Sequence, residues 1–594
     1  MATKYTFPHV NVTTQTILKK KPTTTTNTNT RLFVPFVAEK GPENEIVVVE
    51  SLSDFKTIYG DFDYTAKGQE QILNIGQWFS AGGVVLAFRM TENLPAYIIA
   101  EQNSYSLKKS DILNSDNTTS PTNDNGSITD STTGETYMPI YGYAFGKYMS
   151  SDAANGLEVF AKYPGEYANS YKVVITMNVS SGDIKAGTPK YFSVQVQDAS
   201  GNAIESKRNV TKTSLYKYIK DSDYISEIDL SEAFDTSSNT YVGTGSDNNT
   251  KYIPAKITIT LSNGASDLCS SIDEETYAEY IYSALNYALK QPLETVCDTF
   301  IDPGYSKEVK TELLRFFCGA SEETESIYHR NDIQLYLADS VFDCGKYKKT
   351  LSTSELYPNT LDAKTSYSLG IAANAESELS YANLTIYTQY FKGTDSYSSV
   401  SESREVQYPT TYYVAGLQPY WDRINGKQKP LAGENYGFIG TSSEITWINK
   451  VPSSKLKQEW KEEHLNYVEK ANDSYYIMLQ DTSIQVDASA TTLDSPLRST
   501  CHNRILNHIQ RELTFICRKY LHEENDTVTK KKLYNAVTTF FDGYVKNRTL
   551  SKYSFDIYDS SDDSSLYDNE LAVAISVKFV DHIEIVDLNF TVEG

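Results

Sequence analysis

The chain has 594 residues, 40% of them hydrophobic, and a formal net charge of −23. That length holds roughly three or four domains of about 150 residues. The acidity argues against nucleic acid as a partner, since phosphate contact needs a basic surface. No window offers the roughly 18 apolar residues of a membrane-spanning helix, and the first residues lack the apolar core of a secretory signal, so neither membrane insertion nor Sec-type export is expected. The 6 cysteines (Cys269, Cys297, Cys318, Cys344, Cys501, Cys517) form no CxxC pair, so they read as buried, reduced thiols in a cytosol-assembled protein. The 46 tyrosines suit large, partly wet interfaces.

In chain order, Tyr5, Phe7, Val10 and Val12 lie in an alternating stretch, followed by Lys19-Lys20-Lys21-Pro22 and a threonine tract. This reads as a strand on a flexible arm, able to join a sheet in a neighbouring molecule. Leu32–Val37 and Ile46–Val49 read as strands, Ser53-Asp54-Phe55 as a helix start, and Ile72, Ile75, Trp78 and Phe79 as a helix stopped by Ala81-Gly82-Gly83 before a strand at Val84–Phe88. Asn114–Thr136 is a polar tract expected to be a loop or exposed insertion. Short strands, such as Lys172–Met177, Phe192–Val196 and Ile257–Leu261, dominate to about residue 261.

Helices are expected at Glu274–Lys290 and Ser306–Phe317, a strand at Asp332–Leu337, and a Ser/Thr/Tyr-rich region over Ser352–Gln407. Three further helices are expected at Ser453–Ala471, Ser495–His522 and Thr527 to about Val545. The second has Ile505, Ile509, Leu513 and Ile516 on one stripe, opposite Arg504, Gln510, Arg511 and Lys519. Strands at Leu571–Phe579 and Ile583–Val592 close the chain. In the last, Val586, Leu588, Phe590 and Val592 alternate strictly with polar residues, again without an evident partner in their own domain.

No catalytic constellation is legible. The 7 histidines show no metal-ligand spacing, and His502 and His508 point to different sides of their helix. There is no nucleophile elbow, phosphate loop or dinucleotide fingerprint. Asp562-Asp563 sits in a serine-rich loop and Asp302-Pro303-Gly304 reads as a turn. No enzyme activity, cofactor or metal is expected. Beside an assembly role stand two alternatives, a structural surface or fibre protein and a glycan-active enzyme, which would need two carboxylates converging in a cleft.

Several blocks, in order, resemble the contractile tail sheath family of bacteriophages and phage-like injection systems. They are AEKGPENEIVVVESLSDFKTIYG and IGQWFSAGGVVLAFRM (Gly41, Pro42, Ser51, Phe55, Gly60, Phe79, Gly82, Gly83, Arg89), AKYPGEYANSYKVVI (Gly165, Asn169) and YPTTYYVAGLQPYWDRINGKQKPLAGE (Pro409, Ala415, Gly416, Asp422, Gly426, Pro430, Gly433). The C-terminal third follows the family's order of a helix, two long helices, an extended crossover and two strands. It departs at Thr491-Thr492-Leu493, where the family carries an arginine.

The resemblance implies an α/β (α+β) multidomain fold: an arm at 1–30, a discontinuous core from 31–101 and 431–580, a β-rich outward insertion at 102–265, a second inserted α/β domain at 266–430, and a C-terminal arm strand at 581–594. It implies a structural subunit in stacked hexameric rings around a tail tube, with the tube, baseplate and tail terminator proteins as partners, assembled in a bacterial cytoplasm into a virion tail. The arms of one subunit would enter the core sheets of its neighbours, keeping them linked during contraction. The segment joining the two long helices, with Glu523, Glu524 and Asp526 beside Lys530, Lys531 and Lys532, is the candidate tube contact.

Overall fold

The computed structural model describes residues 30–62, 67–90, 99–100, 128–129, 136–137, 158–177, 192–210, 217–218, 221–229, 256–262, 264, 272–289, 295–318, 330, 332–338, 382–394, 405–427, 429–445, 447–448, 451–462, 464–483, 496–563, 565–567 and 569–582. The expected arm strands, from Tyr5, Phe7, Val10 and Val12 to Val586, Leu588, Phe590 and Val592, lie outside the described residues.

The described chain opens with β1 (Arg31–Phe36), β2 (Ile46–Val49), α1 (Leu52–Tyr59), α2 (Ile72–Ser80) and β3 (Val84–Arg89). Next come β4 (Ile99–Ala100), β5 (Ile128–Thr129), β6 (Thr136–Tyr137), β7 (Glu158–Ala161), β8 (Lys172–Met177), β9 (Phe192–Gln197), β10 (Ala203–Val210), β11 (Ile225–Asp229) and β12 (Lys256–Ser262). The middle holds α3 (Glu274–Leu289), β13 (Thr299–Ile301), α4 (Lys307–Cys318), β14 (Gln334–Ala338), β15 (Leu384–Tyr387), β16 (Tyr390–Thr394), β17 (Glu405–Pro409) and α5 (Thr410–Asn425). The last third holds α6 (Gly433–Tyr436), β18 (Phe438–Thr441), β19 (Trp447–Ile448), α7 (Ser454–Glu462), β20 (Leu465–Asn466), β21 (Val468–Ala471), β22 (Ser474–Ile477), α8 (Thr500–Arg518), α9 (Thr527–Lys546), β23 (Leu550–Asp559) and β24 (Leu571–Phe579).

The centre is a seven-stranded sheet in the order β2-β3-β1-β13-β14-β15-β20, parallel except for the antiparallel edge strand β2. A parallel sheet is covered on both faces, which is why β1, β3, β13, β14 and β15 read as nearly continuous apolar runs. Alternate residues feed two cores. Phe33, Phe300, Leu335 and Leu384 pack under α3 and α4, while Leu32, Val34, Ile301 and Tyr336 pack under α1, α2 and α5.

This topology corrects the expected division of the chain. Residues 266–430 do not form a separate inserted domain, because they supply β13, β14 and β15, the middle of the same sheet that begins with β1. Their in-register pairing, Leu32 with Thr299 and Leu335 with Leu384, makes them part of one buried layer. A second seven-stranded sheet, β10-β9-β8-β12-β4-β7-β11, is antiparallel and comes from the segment between β3 and α3. It takes in Ile99–Ala100, which had been expected in the core.

Other expectations shift locally. The α1 N-cap is Ser51, not Ser53, since the Ser51 hydroxyl accepts from the Asp54 amide at 3.0 Å. The helix expected over Ser453–Ala471 stops at Glu462. His464 turns back at φ +55°, and Leu465 and Val468, both buried, enter two different sheets. Helix α5 was not foreseen, because Gly416 and Pro419 both disfavour a helix interior. Tertiary packing overrides them: a Cβ on Gly416 would lie 3.0 Å from Gln77 Oε1 on α2, so glycine lets the two helices approach. The polar tract Asn114–Thr136 carries part of a short hairpin, with Thr129 paired to Thr136, and is otherwise outside the described residues.

Candidate assembly site

The polar side of α8, expected opposite its apolar stripe, is buried along most of its length, and of the residues expected there only Lys519, at its end, is exposed. Arg504, Gln510 and Arg511 are all at most 5% exposed. The apolar stripe, Ile505, Ile509 and Leu513, packs with α9 and the β23–β24 pair. The polar side meets the amino-terminal ends of the parallel strands: Asn503 Nδ2 donates to Gln334 Oε1 (2.9 Å), and the Thr500 and Thr385 hydroxyls are 2.7 Å apart.

Buried charge there is paired, as it must be to offset desolvation. Arg504 donates to both carboxylate oxygens of Asp422 on α5 at 2.5 Å, and Thr30 Oγ1 donates to the same carboxylate at 2.7 Å. Arg511 pairs with Asp298, just before β13, and Lys427 Nζ lies 2.6 Å from that carboxylate. Burial alone would raise Asp298, but Arg511 and Lys427 hold its carboxyl well below the usual range. Burial lowers Lys427, with Asp298 opposing the shift. His508, beside these two cations, is pushed down to about 3, first by burial and then by Lys427 and Arg511.

Both described ends of the chain meet this helix. Thr30 reaches Asp422 and through it Arg504, while Val580, one residue past β24, faces His502. Beside them stands the β23–β24 pair, a two-stranded antiparallel sheet in register from Asp559/Leu571 to Lys552/Lys578, with a register shift before Leu550/Phe579. One face, with Tyr553, Phe555, Ile557, Val573, Ile575 and Val577, packs towards α9. The other exposes Lys552, Ser554, Asp556, Ser576 and Lys578. Neither outer edge carries a strand among the described residues.

The segment between α8 and α9 divides in use. Asp526 is the α9 N-cap, accepting from the Thr529 amide at 2.7 Å, and Lys530 pairs with Asp559 at the end of β23. Glu523, Glu524, Lys531 and Lys532 are exposed. Asp562 is exposed in the β23–β24 turn. Asp302 does lie in a turn, but it is fully buried. It accepts from the Gly304, Tyr305 and Ala338 amides and pairs with the equally buried Lys310 at 3.4 Å, an anchor that the sequence reading missed. Cys297, Cys318 and Cys501 are buried free thiols, and burial pushes Cys297 and Cys501 up to about 12. Among the described residues no group of three or more His, Cys, Asp or Glu side chains could hold a metal ion, and no helix is long and apolar enough to cross a membrane.

Several motif residues meet at the opposite end of the sheet. Arg89, at the end of β3 and fully buried, donates to the Gly41 carbonyl (2.7 Å) and the Pro164 carbonyl (2.8 Å), tying the Gly41-Pro42 loop to the Gly165 turn that leads into the second sheet. Gly165 sits at φ +137° with its α-carbon so close to Glu39 that a Cβ would lie 2.3 Å from the carbonyl oxygen. Asn169 closes the junction, exchanging hydrogen bonds with Gly264 N (2.9 Å) and Gly264 O (3.0 Å).

No protein-family model matches the chain, and no curated protein matches it in sequence. Among solved structures it is similar to the sheath tail protein of Listeria innocua, with a TM-score of 0.53 and 12% identity over 94% of each chain. It is also matched to the sheath tail protein of Desulfitobacterium hafniense (TM-score 0.45, 9% identity, 95% of this chain and 100% of that one). The anti-feeding prophage helical sheath in its contracted state matches at TM-score 0.37 and 12% identity, over 55% of this chain and 77% of that one. The Listeria comparison, end to end on both chains, establishes that this chain shares the fold of a solved sheath tail protein.

Proposed function

We propose that this chain is the structural subunit of a contractile tail sheath, polymerising as stacked hexameric rings around a tail tube in a phage tail or phage-like injection particle. The observation that carries the reading is the fold shared over 94% of both chains with the Listeria sheath tail protein. The site geometry supports it. Both ends of the described chain lie at α8, and the adjacent β23–β24 pair offers open edges of the kind that accept an added strand. In this reading 1–30 and 581–594 are arms that extend the β23–β24 sheets of neighbouring subunits, and 102–265 faces outward. Contraction then exchanges one set of rigid-body contacts for a more stable set while the arms keep subunits linked.

Exposed Glu523, Glu524, Lys531 and Lys532 are the proposed tube contact, because screened charge pairs hold register yet release on expansion. Electron microscopy of the purified chain should show tubes with a helical lattice. Removing Met1–Lys21 or Asp587–Gly594 should leave folded protein that forms no long tubes, and normal tubes from either truncation would refute the arm assignment. Reversing Glu523 and Glu524 to lysine should weaken co-assembly with tube protein but not sheath-only polymerisation. Unchanged pull-down at low and moderate salt would reject that segment.

A further inference from the structure

We propose that His502 is a proton-operated latch on the segment leaving β24, setting how firmly the backbone at 580–582 is held against α8. Its consequence for assembly rests on the sheath reading, but the latch itself does not. The ring is 4% exposed. Nδ1 lies 2.9 Å from the Pro496 carbonyl oxygen, and Nε2 lies 3.2 Å from the Val580 carbonyl oxygen. Both partners can only accept. A neutral imidazole carries one N–H and can serve one of them, whereas the imidazolium donates to both. The ring plane is fixed by stacking on Phe579 (centroids 4.6 Å apart, 10° between planes) and by His582 at 5.5 Å. The ring therefore cannot swing to water to resolve the conflict without disturbing a buried aromatic contact.

The charged and titratable groups of the elements packed around the ring are few. The segment after β24 brings His582, stacked on the ring, with Asp581 next to it and Lys578 before Phe579. The turn at Pro496 brings Arg498, which is held by Asp481 at 2.9 Å. The end of α9 brings Arg548, adjacent to Thr549, whose carbonyl accepts the Val580 amide at 3.2 Å. Proton gain by His502 thus adds a charge-assisted hydrogen bond to Val580, and proton loss leaves two carbonyl oxygens competing for one N–H. The latch lies two positions from Arg504, whose partner Asp422 also holds Thr30, so the same turn of α8 gathers both described ends of the chain.

The test uses the unassembled full-length chain, so it reads out independently of tube formation. Histidine-selective ¹⁵N resonances and hydrogen exchange of peptides covering 580–594 are followed between about pH 5 and 8, where histidine titrates, with exchange corrected for its intrinsic pH dependence. The expected result is His502 with both nitrogens protonated at the acid end, and corrected exchange at Val580–His582 about tenfold slower there, the effect of one hydrogen bond to a charged group. His502→Gln should abolish that pH dependence, and His582→Ala should retain it. A neutral, single-tautomer His502 throughout the range in the native chain, or the same pH dependence in His502→Gln, overturns the proposal.

Discussion

Asp298 neutralises two cations that α8 and the α5 exit bring beside the start of β13, so replacing it with asparagine should be among the most damaging isosteric changes in the core. The Asp298, Arg511 and Lys427 side chains are 8%, 6% and 15% exposed. Charges about 4 Å apart attract by about 4 kcal/mol at an effective dielectric constant of about 20. Deleting the carboxylate loses both attractions and leaves two like charges facing each other in a poorly solvated site. Relaxation and partial hydration return some of this, and the usual range for stripping one partner from a buried pair is about 3–5 kcal/mol. We take about 4 kcal/mol for Asp298→Asn, a large share of a typical stability of about 5–15 kcal/mol.

The pH dependence has a definite sign. The folded carboxyl is held below its unfolded value, so its contribution is complete above about pH 4 and is lost only as pH falls through the lower, folded value. The asparagine variant should therefore be destabilised across neutral pH and lose part of the acid sensitivity of the native chain. Calorimetry and urea unfolding at several pH values measure both effects. Adding Arg511→Met removes the stranded charge and should recover about half of the loss, a coupling that a double-mutant cycle reads directly. A loss below about 1 kcal/mol for Asp298→Asn, or strict additivity with Arg511→Met, would refute the reasoning.

Further outcomes test other parts of the structure. His508 takes no proton in the folded chain until about pH 3, whereas an unfolded ring does so near about 6.5, so stability should fall by about 1.4 kcal/mol for each pH unit below about 6.5; His508→Gln should flatten that slope in urea titrations at pH 5 to 7. Arg89→Met should cost about 3 kcal/mol and make the 162–169 turn the first site of limited proteolysis, because it frees the Gly41 and Pro164 carbonyls at once. Gly83→Ala should cost about 1–3 kcal/mol by calorimetry, since its Cβ would lie 2.2 Å from Trp78 Nε1, which donates to the Val84 carbonyl. Gly543→Ala, with nothing within 4 Å on α9, should instead stabilise by about 0.5–1 kcal/mol.

What the sequence determined by itself is local. Apolar runs placed β1, β2 and β3, helical periodicity placed α2, α3, α8 and α9, and the Gly82-Gly83 stop marked the end of α2. These signals depend on neighbours a few residues apart and survive in any tertiary setting. The ordered glycine, proline and arginine motifs also pointed to the sheath fold that the Listeria comparison bears out. The structure alone decided what depends on distant segments. It brought β13, β14 and β15 into the sheet of β1, placing the Arg31 amide 3.0 Å from the Asp298 carboxylate although 267 residues separate them in sequence. It broke the expected helix after Glu462 because Leu465 and Val468 gain more from two sheets than from a helical stripe, and it kept α5 helical despite Gly416 and Pro419 because α2 needed the close approach. Most of all, it buried Arg504 and Arg511 on the polar side of α8 while leaving Lys519 exposed. A charge stripe reads as solvent-facing whenever its counter-charges are unknown, and Asp298 and Asp422 lie 213 and 82 residues away from the arginines they neutralise. Pairing at that separation is invisible to periodicity, because it is set by chain topology rather than by spacing along the helix.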